Sequence, residues 1–192
     1  GNTLNQNEDG KRISPKAGQF IILETLVNNA LDLNLDVPRF DNIYISRRTK
    51  HNIKYSKDLI GEDNTQKRGN VDEDKVVQIL EDLGYNEIFG ENYTLAEKIT
   101  MFHHMKKYVT NSGAGITNTF YRKKGIIGGI GSPGLEFPDK SKHGRHMIYN
   151  DHYDNKVSIF KDTSFVDPNS KKYNNPFKIN NIDNFAKWAK EL

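Results

Sequence analysis

Between residues 17 and 35 (AGQFIILETLVNNALDLNL) apolar side chains recur every three or four positions. Phe20, Leu23, Leu26, Val27, Ala30 and Leu31 predict an amphipathic helix, and Pro38 predicts its end. Residues 42–46 (NIYIS) are short, β-branched and aromatic, the pattern of a strand. Residues 47–73 are charged and hold little that could join a core, so they read as a long loop or insertion. A second helix is predicted over 73–83, with Val76, Val77, Ile79, Leu80 and Leu83 inward and Gly84 where a helix stops. Residues 85–89 read as a strand. Thr94 opens another helix running to about Met105, with Glu97 at capping-box spacing.

Further on, residues 107–111 (KYVTN) predict a third strand, followed by Ser-Gly-Ala-Gly and a helix from about Ile116. Residues 125–130 (GIIGGI) form a fourth strand of the fully buried type. Residues 131–156 read as loop with a short strand near Met147–Tyr149; residues 157–160 are the last predicted strand, and 182–192 a terminal helix. Residues 1–16 are a polar tail, and 17–192 read as a single domain. Strands alternating with helices of about ten residues predict an α/β fold: a Rossmann-like, mostly parallel sheet with helices on both faces.

Composition narrows the chemistry. The 192 residues contain no cysteine, which excludes a disulfide scaffold, a thiolate metal site and a cysteine nucleophile. No apolar run approaches the roughly 18 residues of a membrane span. The 28 Lys+Arg against 25 Asp+Glu leave a net charge of +3, too small for a nucleic-acid footprint but compatible with a local phosphate pocket. Binding of nucleic acid through the basic residues of 47–68 is further opposed by Asp58, Glu62 and Asp63 in the same stretch.

The strongest chemical signal is Asn111-Ser112-Gly113-Ala114-Gly115, between a strand and a helix. In an open parallel sheet, ligands bind beyond the carboxyl ends of the strands, where glycine lets a pyrophosphate approach the backbone and helix N–H groups favour its charge. The same two glycines would also simply relieve a tight turn. Ser46-Arg47-Arg48 ends the first strand on the same predicted edge, and paired guanidinium groups suit bidentate recognition of phosphate. Arg68 is a further cationic arm, and Asp72 is a plausible cap for the second helix. His143, His146 and His152 lie with Asp139, Asp151 and Asp154 in one loop-rich stretch, without the helical context that makes His-x-x-His a metal motif; no metal is assigned. His103-His104 read as surface or boundary residues, and Asn92-Tyr93-Thr94 is a formal glycosylation sequon.

Taken in order, Ile43 to Arg47, Arg68 with Asp72-Glu73-Asp74 and Val76, Leu83-Gly84-Tyr85, Leu95 to Phe102, and Gly113-Ala114-Gly115-Ile116-Thr117-Asn118 resemble a known set. That set belongs to the carboxyl-terminal half of glycosyltransferase family 61, and the match covers about residues 42–130. The resemblance implies one half of a GT-B architecture and an inverting transfer of sugar from a nucleotide-sugar donor, such as a UDP- or GDP-sugar, to a glycan or protein acceptor in polysaccharide biosynthesis. It implies no cofactor beyond that substrate. Carried over residue by residue, Ser46, Arg47 and Arg48 would meet the diphosphate with Arg68 in support. Gly113, Ala114 and Gly115 would offer backbone N–H groups, flanked by Asn111 and Ser112, and Asn118 would brace the turn or touch the donor. The acceptor domain would be a missing amino-terminal half or a partner chain. The sequence departs from the family at Ser112, where the family has His, at Asp72, where it has Asn, and at Gly128-Gly129, where an acidic residue is usual. Those departures leave a second reading, a non-catalytic module of the same fold that binds a nucleotide sugar or a glycan. No compartment follows: a complete chain of this kind would be cytoplasmic, one stripped of a signal or anchor endomembrane-luminal.

Overall fold

A computed structural model describes residues 17–46, 69–111, 114–122, 124–133, 152–169 and 175–192. Five strands form one sheet: β1 (Asn42–Ile45), β2 (Asn86–Ile88), β3 (Lys107–Asn111), β4 (Ile126–Ile130) and β5 (Lys156–Phe160). Their order is β2-β1-β3-β4-β5, and every neighbouring pair is parallel. The chain steps from β1 outward to β2, then returns across β1 to β3. Right-handed crossovers in opposite directions must use opposite faces. The helix between β1 and β2, α2 (Glu73–Asp82), therefore covers one face, and the helix between β2 and β3, α3 (Leu95–His104), covers the other. The result is an α/β fold around a mostly parallel sheet.

The period-two alternation of the strands divides the core accordingly. Tyr44, Val109 and Ile130 face Val76, Val77 and Leu80 of α2, together with Phe185 and Ala189 of the last helix, α4 (Ile182–Glu191). Ile43, Ile45, Tyr108 and Ile127 face Met101 and Phe102 of α3. The first helix, α1 (Ala17–Asp32), makes an outer layer, packing Val27 and Ala30 on Ile99 of α3.

Local chemistry explains where the helices begin and end. Thr94 and Glu97 close the expected capping box on α3: Glu97 N–H donates to Thr94 Oγ1 at 3.3 Å, and the Glu97 carboxylate accepts Thr94 N–H at 2.7 Å. Gly84 follows α2 at φ +81°, the left-handed backbone that favours glycine. The N–H groups of Gly84 and Tyr85 then reach back to the carbonyls of Glu81 and Leu80, a Schellman stop. Asn181 caps α4 by accepting from the N–H groups of Asp183 and Asn184.

Four expectations need correction. Asp72 occupies the cap position of α2 but does not cap it; its carboxylate accepts from Ile179 N–H and Lys75 Nζ instead. The first helix stops at Asp32, before Pro38, because Asn34 turns to φ +48°, and Leu26 is 39% exposed, outside the inward stripe. After β3 the chain enters a 3-10 helix, Ala114–Tyr121, in place of an α-helix starting near Ile116. Its side chains favour the tighter winding: Asn118 Nδ2 donates to Gly115 O and Thr119 Oγ1 to Ile116 O, both three residues back. Residues 157–160 are not the last strand. An antiparallel pair follows, β6 (Thr163–Phe165) and β7 (Phe177–Ile179), whose Phe177 and Ile179 complete the α2 face of the core. The strand expected near Met147–Tyr149 lies outside the described residues.

Candidate functional site

β1 and β3 are adjacent and parallel, in the register Ile43↔Tyr108 and Ile45↔Thr110. Ser46 and Asn111 therefore follow on neighbouring strands at one edge of the sheet. The connection from β1 leads to β2 on one side, and β3 lies on the other, so the order of strands reverses between these two ends. Such a switch point leaves a crevice beyond the carboxyl ends of the strands. α2 runs back from this edge, so its first residue lies over the same two strand ends.

That residue, Glu73, is the centre of a buried polar cluster. Its Oε1 accepts from Tyr44 Oη at 2.5 Å and from Ser46 Oγ at 3.2 Å, and its Oε2 accepts from Asn111 Nδ2 at 2.9 Å. Glu73 is 7% exposed, Ser46 4% and Asn111 1%. One carboxylate thus ties both strand ends to the start of α2. Two buried atoms here have no hydrogen-bond partner among the described residues: Oδ1 of Asn111, and Nδ2 of Asn70, which lies just before α2.

The start of the 3-10 helix is held against β3. Tyr108 Oη donates to Gly115 O at 2.6 Å, and Asn118 Nδ2 donates to the same oxygen at 2.9 Å. A Cβ on Gly115 would come within 2.6 Å of Thr110 Oγ1, so the absence of a side chain at 115 has a packing cause on β3 itself. Asn118 thus bonds within the first turn of the 3-10 helix.

Of the residues singled out in the sequence, Ser46 and Asn111 meet through Glu73 on the α2 face of this edge, whereas Gly115 and Asn118 pack against Tyr108 and Thr110, whose side chains lie on the opposite, α3 face. Arg47, Arg48, Arg68, Ser112 and Gly113 lie outside the described residues, as do His143, His146, Asp139 and Asp151. Among the described residues, no three His, Asp or Glu side chains converge as metal ligands. His152 stacks on Phe20 with ring centroids 3.7 Å apart. His103 hydrogen-bonds through Nδ1 to Tyr121 O at the opposite, amino end of the strands. His104 beside it is held below the ordinary histidine pKa by partial burial first, then by Arg39, His103 and Arg122. A cavity of about 160 Å³ between α1 and the end of α3, lined by Val27, His103, Tyr121 and Tyr153 among others, also belongs to that far end.

Glu73 and Tyr44 were absent from the predicted site, yet both could have been read. Glu73 lies three, four and seven residues before Val76, Val77 and Leu80, which places it on the inward face of α2. Tyr44 and Ser46 share one face of β1, as Val109 and Asn111 share one face of β3.

No family model and no curated protein sequence gives a significant match to this chain.

Proposed function

We propose that this chain is the nucleotide-sugar-binding domain of an inverting glycosyltransferase similar to family 61, one half of a GT-B enzyme. The observation that supports it is the adjacency of β1 and β3. It brings Ser46, the residue before Arg47-Arg48, and Asn111, the residue before Ser112-Gly113, to a single edge, at the switch point where such sheets take nucleotides. In this reading the acceptor oxygen attacks the anomeric carbon from the face opposite the leaving group. The bond from that carbon to the diphosphate oxygen breaks, and the acceptor proton passes to a base on the second domain. The leaving nucleoside diphosphate gains charge as the bond breaks. Arg47, Arg48 and the backbone N–H groups of the turn stabilise that charge, and Arg68 supports them.

Calorimetric titration of the folded chain with UDP and with GDP tests this. Binding of one of them in the micromolar to millimolar range is expected, weakened about tenfold or more in Arg47→Ala, since a lost charge-assisted contact is worth about 1.5–3 kcal/mol. A folded protein that binds neither nucleotide overturns the proposal. Ser112, standing where the family has His, favours the second reading, a non-catalytic module. Sugar transfer or donor hydrolysis that depends on the turn at Gly113 would exclude it.

A further inference from the structure

The buried cluster at the switch point assigns a direction to Asn111. Its Nδ2 is committed to Glu73 Oε2 at 2.9 Å, which fixes the amide so that Oδ1 points the other way. That Oδ1 is buried and has no donor among the described residues. A buried carbonyl oxygen is satisfied only by a group that brings a hydrogen. The oxygens of an ionised diphosphate bring none. A ribose hydroxyl or a base N–H does.

From this we infer that Asn111 reads the nucleoside portion of the ligand, not its phosphates, and that Glu73 is the positioning residue that turns its amide to do so. The inference rests on the nucleotide-sugar reading above and deepens it. Glu73 is suited to the role because its two oxygens divide the work. Oε1 takes the hydroxyls of Tyr44 and Ser46, and Oε2 takes Asn111 Nδ2. A glutamine at this position, with its oxygen kept toward Tyr44 and Ser46, would point an NH₂ at Asn111. The asparagine amide would then turn over to accept from it, and would offer the ligand a donor in place of an acceptor.

The experiment compares two probes, UDP or GDP on one hand and inorganic pyrophosphate on the other, titrated into the full-length wild type, Glu73→Gln and Asn111→Leu. The expected result is a loss of about tenfold in nucleoside-diphosphate affinity in both variants, the size of one hydrogen bond to a buried acceptor, with pyrophosphate affinity within about twofold of wild type. A structural role alone would weaken both probes together. A parallel loss of both overturns the inference, and so does unchanged nucleotide affinity. Glu73→Gln is nearly isosteric and keeps the test in force if Asn111→Leu fails to give a cooperative thermal transition. A wild type that binds pyrophosphate but no nucleotide overturns this inference and the nucleotide reading together. A loss confined to the variants' pyrophosphate affinity overturns the assignment of Asn111 alone.

Discussion

Single residues show most directly where periodicity informs and where it is silent. The spacing of Val76, Val77 and Leu80 marks Tyr85 as core only indirectly, through the Schellman stop that folds it back beside Leu80. The cost that comes with this placement is invisible in the sequence. Tyr85 is 4% exposed, its hydroxyl has no hydrogen-bond partner among the described residues, and burial pushes its phenol up from 10.0 to about 12. A folded pKa above the unfolded one means stability that is complete below pH 10 and is lost as the pH rises from 10 toward 12. Tyr85→Phe removes the unpaired hydroxyl while keeping the ring. It should raise stability by about 1 kcal/mol in urea denaturation at neutral pH and flatten the alkaline decline. A loss of stability at pH 7 would mean that the hydroxyl has a partner after all. Glu73 teaches the converse lesson. Its charge suggests a surface position, and only its helical phase places it in the core.

Elements were legible where a backbone rule left a chemical signature. The capping box of α3 and the glycine stop of α2 are written in single residues, and both formed as their spacing implied. The 3-10 helix was not legible, because the choice between α and 3-10 winding depends on Asn118 and Thr119 bonding back to the chain, a competition that apolar periodicity does not register. β6 and β7 were not legible for another reason: their pairing with each other is set by contact with the α2 face, which the chain's local pattern does not record. The capping box makes its own prediction. Glu97 is held below its ordinary value of 4.5, first by the Thr94 N–H and then by the Thr94 hydroxyl. Its contribution is therefore present above the unfolded pKa and disappears as the pH falls through the lower, folded one. Thr94→Ala should cost about 0.5–2 kcal/mol at pH 7. The difference in melting temperature between wild type and Glu97→Ala should be positive at pH 7 and shrink as the pH falls below the ordinary value of 4.5; a difference that persists in acid would assign it to helix propensity alone.

At the scale of the whole molecule, the order of the strands could not be read along the chain, because parallel pairing joins residues dozens of positions apart. What the sequence did show was the fourth strand's buried character and its two glycines, and the structure gives one of them a cause. The face of β4 at Gly128 is where α4 lies down: a Cβ there would meet Leu192 Cδ1 at 2.7 Å, Trp188 Cη2 at 3.0 Å and Val109 Cγ2 at 3.1 Å. Gly128 thus lets the terminal helix close over the sheet, with Phe185 against Phe160 and Trp188 Nε1 bonded to Ser158 Oγ at 2.8 Å. An acidic side chain at 128 could not occupy that space. Because Trp188 is the only tryptophan, its fluorescence reports this docking directly. Gly128→Ala should lower stability by about 1–3 kcal/mol through overpacking, and shift the Trp188 emission to the red as the helix lifts. The substitution reaches β3 only at Val109 and does not meet Ser46, Asn111 or Glu73, so ligand affinity at the switch point should hold while the folded fraction stays high. Emission and stability both unchanged would show that α4 does not rest on Gly128, and the α2 face would then need another cover.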